Sequence, residues 1–286
     1  MMKLKQLFTA IATASILQAC NLINPAEPTP AYIQIDTIKL TTDLTSQGSA
    51  SHKIVDAWVY VDNQAVGAYE MPCKFPVLET GTHTIYIQGG ILLNGINATH
   101  LQYPYYKFVN QTVNLKPGEV VHINDLSTSY IDNLTFPLME DFSGLFSFEK
   151  SGDSPVGMLG EFDASQAIEG GYGVVRLDSG MYNFEVKSKE MILPNNGTNV
   201  FLEMNYKNSA PFLVILQATD PFGNVINNAI ITLNTKTDWN KIYIELKPTM
   251  QITNNANRFR VLFGMQRTDA STNESFYFDN VKVVHN

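Results

Sequence analysis

Apolar residues recur at every second position over much of this chain. Val200, Leu202, Met204 and Tyr206 alternate with Phe201, Glu203, Asn205 and Lys207, while Ile242, Ile244 and Leu246 alternate with Lys241, Tyr243, Glu245 and Lys247. Phe259, Val261, Phe263 and Met265 continue the pattern. Successive side chains of an extended chain point to opposite faces, so each segment predicts a strand with one face in a core and the other nearer water. Helical periodicity is almost absent, and the alternating stretches are bounded by Gly, Asn and Pro. The chain is predicted to be all-β.

Its length suggests two domains on the usual scale of ~100–200 residues each. From Tyr32 to Thr135 the predicted strands are short: Tyr32–Ile35, Ala57–Val61, Thr84–Gln88, Gln111–Leu115 and Val120–Ile123, with a turn at Lys116-Pro117-Gly118-Glu119. Asp62-Asn63 between Val61 and Val66 is a tight-turn signal. Val59–Gly67 followed by Phe75–Ile85 resembles the PEGA type of small β-sandwich, in which a Val-x-Val-Asp strand leads to a Leu-x-x-Gly-x-His turn. That resemblance implies an Ig-like module over residues 32–135 with a structural or spacing role.

Residues 136–286 carry the cleaner alternation and predict two packed antiparallel sheets. Phe276–Val284 resembles the last strand of jelly-roll carbohydrate-binding modules, the galactose-binding-like fold. Glu140-Asp141-Phe142-Ser143-Gly144 is similar to the opening strand of that family, and Asp238–Leu246 to its tryptophan-led strand. The expected fold is therefore a small Ig-like β-sandwich followed by an antiparallel jelly roll. The resemblance also implies a structural calcium near the first and last strands, with Asp279 as a ligand. Ser143 stands where the family often has Glu, which removes one hard oxygen.

The N-terminus changes the picture of location. A basic start at Lys3 and Lys5, an apolar run from Leu7 to Leu17 and Gln18-Ala19-Cys20 form a secretory signal over residues 1–19, too short to span a bilayer. Leu17-Gln18-Ala19-Cys20 resembles the lipobox of bacterial lipoproteins, which implies acylation of Cys20. Residues 20–31 contain Pro25, Pro28 and Pro30 and read as an extended tether. The expected place is a cell envelope or outer membrane, in a lipoprotein of Bacteroidetes type. With Cys20 acylated, Cys73 is left as a lone thiol and reads as a small buried hydrophobe. Asp36-Thr37-Ile38 resembles a short O-glycosylation signal, against the plainer reading of a strand-edge threonine.

Formal net charge is −8, without the clustered Lys and Arg that a phosphate backbone requires, so nucleic acid is not an expected partner. Sugar binding needs aromatic planes and a few polar groups in a cleft or on a sheet face. Tyr172, Tyr243 and Tyr277 are the candidate contacts, with Tyr182 also available. Tyr206 and Trp239 are assigned to the core instead. The run Tyr103-Pro104-Tyr105-Tyr106-Lys107-Phe108 reads as an edge or loop, because proline cannot donate within a central strand. It either folds down over its own sandwich or docks a partner.

Catalytic patterns are missing. Glu161–Glu169 resembles the Glu-x-Asp-x-Glu strand of jelly-roll glucan hydrolases, but Ser165 occupies the third acidic place and Glu169 is displaced, which breaks the alternation. No Gly-x-Ser-x-Gly elbow is present, the five histidines show no metal-ligand spacing, and Gly170-Gly171-Tyr172-Gly173 reads as a turn. The sequence thus predicts a non-enzymatic, membrane-anchored protein without a catalytic cofactor, whose jelly roll binds glycan. The alternatives are an assembly subunit that packs against envelope proteins and, third, a polysaccharide-degrading enzyme.

Overall fold

The computed structural model describes residues 27–286 except Leu145, Asn254 and Asn255. The predicted signal, Cys20 and most of the tether lie outside the described residues. Among the described residues no helix is long and apolar enough to cross a membrane.

The first part runs β1 (Ala31–Ile35), β2 (Ile38–Thr41), the short α1 (Leu44–Gln47), β3 (Asp56–Val61), β4 (Gln64–Glu70) and β5 (Cys73–Val77). It continues with β6 (Gly81–Leu92), β7 (His100–Gln102), β8 (Val109–Leu115), β9 (Val120–Ile123) and β10 (Leu126–Ser129). One sheet has the order β5-β1-β9, a two-stranded sheet pairs β10 with β2, and a third runs β4-β3-β6-β7 with β8 also on β6. Strands β1 and β2 run parallel to β9 and β10. Ile33, Ile35, Val59, Val61, Phe75, Ile85, Ile87 and Leu115 fill the core. Asp62 and Asn63 both adopt positive φ, 47° and 68°, which is the conformation a two-residue hairpin turn requires. At Gly90 a Cβ would stand 2.6 Å from the Trp58 indole nitrogen, so only glycine lets that ring lie across β6.

The second part contains β11 (Thr135–Glu140), β12 (Phe148–Lys150), β13 (Leu159–Glu161), β14 (Tyr172–Leu177), β15 (Asn183–Ser188) and β16 (Met191–Ile192). It ends with β17 (Val200–Asn208), β18 (Phe212–Thr219), β19 (Val225–Leu233), β20 (Lys236–Glu245), α2 (Lys247–Gln251), β21 (Arg258–Gln266) and β22 (Glu274–His285). A front sheet has the order β13-β14-β22-β17-β20 with β11 on β22, and a back sheet β12-β15-β21-β18-β19 with β16 on β21. Every pairing in both is antiparallel. Between them lie Leu202, Met204, Tyr206, Ile242, Ile244, Phe259, Val261, Phe263, Phe276 and Phe278. The expected alternation therefore holds for the inner face, and the fold is an all-β sandwich.

The outer face of the front sheet departs from expectation. Phe201, Glu203, Asn205, Lys241 and Tyr243 were placed nearer water by their alternation, yet all five are buried. A third apolar cluster covers them, joining Tyr103, Tyr105, Tyr106 and Tyr130 of the first part to Phe201, Tyr243 and Val284 of the second. The tyrosine run is wedged between the two sandwiches, packing on Leu40 and Ile91 of its own part as well as on Phe201 and Tyr243 of the other, and Phe108 alone of its aromatic residues is exposed.

This cover has a measurable consequence. Residues 136–286 produced alone would expose Phe201, Tyr243 and Val284 beside a bare carboxylate and two ammonium groups. That fragment should melt at lower temperature than the whole chain and bind a hydrophobic dye that the whole chain does not. Equal melting temperatures and no dye binding would show that the face is stable without its cover.

Candidate functional site

The front sheet's outer face has a covered half and an open half. In the covered half, Glu203 Oε1 accepts a hydrogen bond from the Tyr103 hydroxyl at 2.6 Å and Oε2 one from Tyr130 at 2.8 Å. Lys241 Nζ lies 3.7 Å from Glu203 Oε2 and has no hydrogen-bond partner. Tyr106 and Tyr243 join their hydroxyls at 2.9 Å, and the Lys53 backbone N–H donates to the Tyr243 hydroxyl at 3.0 Å. Burial holds the tyrosine hydroxyls well above their ordinary pKa and depresses that of Lys241 against the pull of Glu203.

A coil after α1 straps the same face. Lys282 donates to the carbonyls of Gln47 and Ser49 at 2.7 and 2.8 Å, and its ammonium lies 5.4 Å from the Tyr130 ring centre. Burial lowers its pKa to about 8. Ser51 Oγ donates to Asn205 Oδ1 at 2.7 Å, and Ser49 Oγ donates to Glu169.

The open half carries the aromatic groups. Tyr277 on β22 and Trp239 on β20 stand edge to face, with ring centres 6.5 Å apart. Lys207 on β17 lies between them, 4.7 Å from the Tyr277 centre and 5.1 Å from that of Trp239. Gln166 fixes the arrangement from above: its carbonyl accepts from the Trp239 indole at 2.7 Å, and its side-chain oxygen accepts from Lys207 at 2.7 Å. A groove of about 280 Å³ beside these groups is lined by Tyr277, Lys207, Asn208, Ser209, Thr237 and Lys236, among others. Ring and amide groups in one groove are the chemistry that a pyranose face and its hydroxyls match.

The predicted contacts are thus divided. Tyr277 lines the groove and is half-buried. Tyr172 is buried, 1% exposed, with its ring tilted against Tyr277 at 5.9 Å and its hydroxyl donating to Glu161 at 3.0 Å, so it backs the platform instead of facing a ligand. Tyr243 is likewise 1% exposed and sealed in the covered half. The assignment of Trp239 to the core is corrected too: it is half-buried on the outer face, because alternation along β20 sets it on the same side as Lys241 and Tyr243, opposite Ile242. Tyr182 is exposed away from this group. Sequence reasoning missed Lys207 and Gln166; the outward alternation of β17 could have located the first, while the loop holding Gln166 leaves no periodic signal.

The acidic residues have other occupations. Glu161 takes both guanidinium nitrogens of Arg176, at 2.5 and 2.8 Å, which holds its carboxyl below the usual range. Asp163 caps its own turn through Ser165, and Glu169 meets Ser49. Asp163 lies beyond the end of β13, so Glu161 and Asp163 do not share one strand face.

Asp279 is buried at a bulge of β22, where Asn280 takes φ 49°. Its Oδ1 accepts from the Asn280 N–H at 2.7 Å, while its Oδ2 and the Asn280 side chain have no partner among the described residues. Calcium takes about six to eight oxygens. No three Asp, Glu, His or Cys side chains converge here among the described residues. The donor set does not fit calcium. Burial pushes the Asp279 carboxyl up to about 7.

Elsewhere, Cys73 is half-buried on β5 with its thiol pushed up by burial, and Asp36 and Thr37 are exposed between β1 and β2.

No protein-family model and no curated protein matches the chain. Solved structures resemble it weakly. The bacteriophage CBA120 tailspike protein 4 enzymatically active domain aligns at 15% identity and a TM-score of 0.38, over 50% of this chain and 20% of that one. The CBM22-1 xylan-binding domain from Paenibacillus barcinonensis Xyn10C aligns at 15% identity and 0.36, over 52% of this chain and 94% of the other. A β-sandwich carbohydrate-binding module described as promiscuous in specificity aligns at 14% identity and 0.37, over 79% and 83%.

Two predictions follow from the buried charges. Glu203→Ala should destabilise the chain by about 3–5 kcal/mol, since Lys241 and two tyrosine hydroxyls lose their partner; chemical denaturation measures it. Asp279 has a folded pKa raised from its ordinary 3.8 to about 7, so it binds its proton more tightly when folded. Its contribution is therefore most favourable below pH 3.8 and is lost as pH rises towards 7. Asp279→Asn should raise the melting temperature at pH 8 relative to wild type and change it little at the acidic end of that window.

Proposed function

We propose that this chain is a non-catalytic, lipid-anchored envelope protein whose C-terminal sandwich binds glycan in the open half of the front sheet. The observation that carries the reading is the groove in which Tyr277, Lys207 and Ser209 meet, next to Trp239 and fixed by Gln166. A ring laid against Tyr277 gains dispersion and stacking worth about 0.5–1.5 kcal/mol beyond its buried area. Hydroxyls at its rim meet the exposed Ser209 and Thr237. Tyr172 holds Tyr277 in place, so the platform costs little ordering on binding.

In this reading Cys20 carries the lipid, the proline-rich segment spans from the membrane, and the first sandwich acts as an Ig-like spacer. The spacer does not swing freely, because its tyrosines are tied into Glu203 and Tyr243. The ligand surface is consequently carried at a fixed angle to the first sandwich.

A second reading, an assembly subunit, is favoured by a different surface. Phe222 is 91% exposed at the tip of the β18–β19 hairpin, and Val225 and Ile192 are exposed at the same end of the back sheet, where Thr219 pairs both Val225 and Arg258 and Arg258 pairs Ile192. Exposed apolar groups at one end suit protein contacts.

The whole chain should bind at least one class in a panel of soluble glycans and cell-wall polysaccharides, and Trp239→Ala and Tyr277→Ala should each weaken it by about tenfold, the equivalent of 1.4 kcal/mol. Absence of binding by the folded chain across the panel overturns the glycan reading; release of reducing ends overturns the non-catalytic part. Cys20→Ala should move the protein from the membrane to the soluble fraction, and persistent lipid labelling of that variant would overturn the anchor.

A further inference from the structure

A second opening lies on the other side of β20, where the loop between β6 and β7 reaches the front sheet. Leu93 bridges Tyr243, the Asn94 N–H donates to the Tyr243 carbonyl at 2.8 Å, and Asn94 Oδ1 accepts from the Glu245 N–H at 3.0 Å. Gly95, at φ 69°, passes so close to β20 that a Cβ there would stand 3.0 Å from Ile242 Cδ1. Main-chain bonds and close packing thus hold the loop to the strand, and the cavity of about 250 Å³ that they enclose has walls from both sandwiches.

Its lining has an unusual charge for a chain of net charge −8: Lys53, Lys236 and Lys241 line it, and no carboxylate does. Lys241 is offset by Glu203, but neither Lys53 nor Lys236 forms an ion pair among the described residues. Lys53 Nζ instead donates to Asn240 Oδ1 at 2.7 Å. Burial, and then repulsion from Lys236, lower the affinity of Lys53 for its proton. Two cations that repel each other across a preformed polar cavity are relieved by an anion between them. The remaining polar lining combines hydroxyls, such as that of Thr232, with amides, of which Asn97, Asn234 and Asn240 offer the donors and acceptors that hydroxyl groups need. The volume falls below the ~300–1,000 Å³ of drug-sized sites, which suits one small ring.

We propose that this cavity binds an anionic sugar residue, with its carboxylate or phosphate group between Lys53 and Lys236 and its hydroxyls on Asn97 and Asn234. The site is separate from the Tyr277 groove and does not depend on glycan binding there, although Lys236 borders both openings.

The test is titration of the whole chain at low ionic strength with glucuronate, glucose 6-phosphate, glucose and inorganic phosphate, followed by calorimetry or amide chemical shifts. At least one of the charged sugars should bind more tightly than both glucose and phosphate by about tenfold, and added salt should weaken it. Lys53→Glu should abolish this binding while Lys53→Arg retains it; the Lys53 backbone bond to Tyr243 is unchanged in both, and matching melting temperatures would show that the junction is intact. Trp239→Ala should leave it unaffected, which separates failure here from failure at the groove. Binding of neither charged sugar, equal binding of glucose, equal binding of phosphate alone, or full binding by Lys53→Glu each overturns the proposal.

Discussion

Glu203 is the constraint on which the arrangement of this molecule depends. It occupies the middle of β17 with no exposure to solvent, and a carboxylate there is tolerated only if its oxygens are met. Its own sheet supplies Lys241, without a hydrogen bond, while both good hydrogen bonds come from Tyr103 and Tyr130 of the other sandwich. The two sandwiches therefore share one buried electrostatic requirement. Removing the N-terminal sandwich would leave the charges of Glu203, Lys241 and Lys282 on a face otherwise made of Phe201, Tyr243 and Val284. Buried ion pairs contribute little net stability, because desolvation offsets the attraction, but they penalise misplacement heavily. Here that asymmetry sets orientation: the tyrosines lie well within apolar contact, and the hydroxyl geometry selects one docking among the many that area alone would allow.

The same docking decides where a ligand can reach the front sheet. Its outer face is continuous in hydrogen bonding from β13 to β20, yet the rows holding Glu203, Tyr243 and Lys282 are closed by tyrosines and by the coil after α1. The rows around Tyr277 and Lys207 stay open, while Lys241 and Tyr243 border the cavity under the β6–β7 loop. Tyr172, although buried, belongs to that open half, because its ring and the Glu161–Arg176 pair support the Tyr277 side of the groove. The outer face of the sheet is thereby divided into a covered half and an open half.

The sequence made the inner faces legible and the outer faces ambiguous, for a physical reason. Val200, Leu202, Met204 and Tyr206 face a core built from their own sandwich, so period-two alternation reports it directly. Phe201, Glu203 and Tyr243 sit on the opposite face of the same sheet, and their burial depends on a partner about a hundred residues earlier in the chain, as with Tyr103 and Glu203. Alternation carries no information about that partner. The run Tyr103-Pro104-Tyr105-Tyr106 was legible as a non-strand aromatic segment but not as to what it covers. Trp239 shows the converse limit: a tryptophan suggests a core, yet its parity along β20 places it with Lys241 outside. At Asp279 the family resemblance suggested calcium, whereas no group of three Asp, Glu, His or Cys side chains converges there among the described residues.

The distribution of cations completes the argument about chemistry at the surface. Lys282 is tied to carbonyls and an aromatic ring, Lys241 is matched to Glu203, and Lys207 lies between two rings with Gln166 as its acceptor. These three have their charges satisfied internally and orient the sheet, the junction and the groove. Lys53 beside β20 and Lys236 at its first position have amides for neighbours and no carboxylate partner among the described residues, in a chain whose overall field repels anions. Attraction for an anion is therefore short-ranged and confined to that edge, since screening removes it beyond about 10 Å at 0.1 M salt. The two proposed sites thus rest on different forces: ring stacking on the Trp239 and Tyr277 side, and local charge on the Lys53 side.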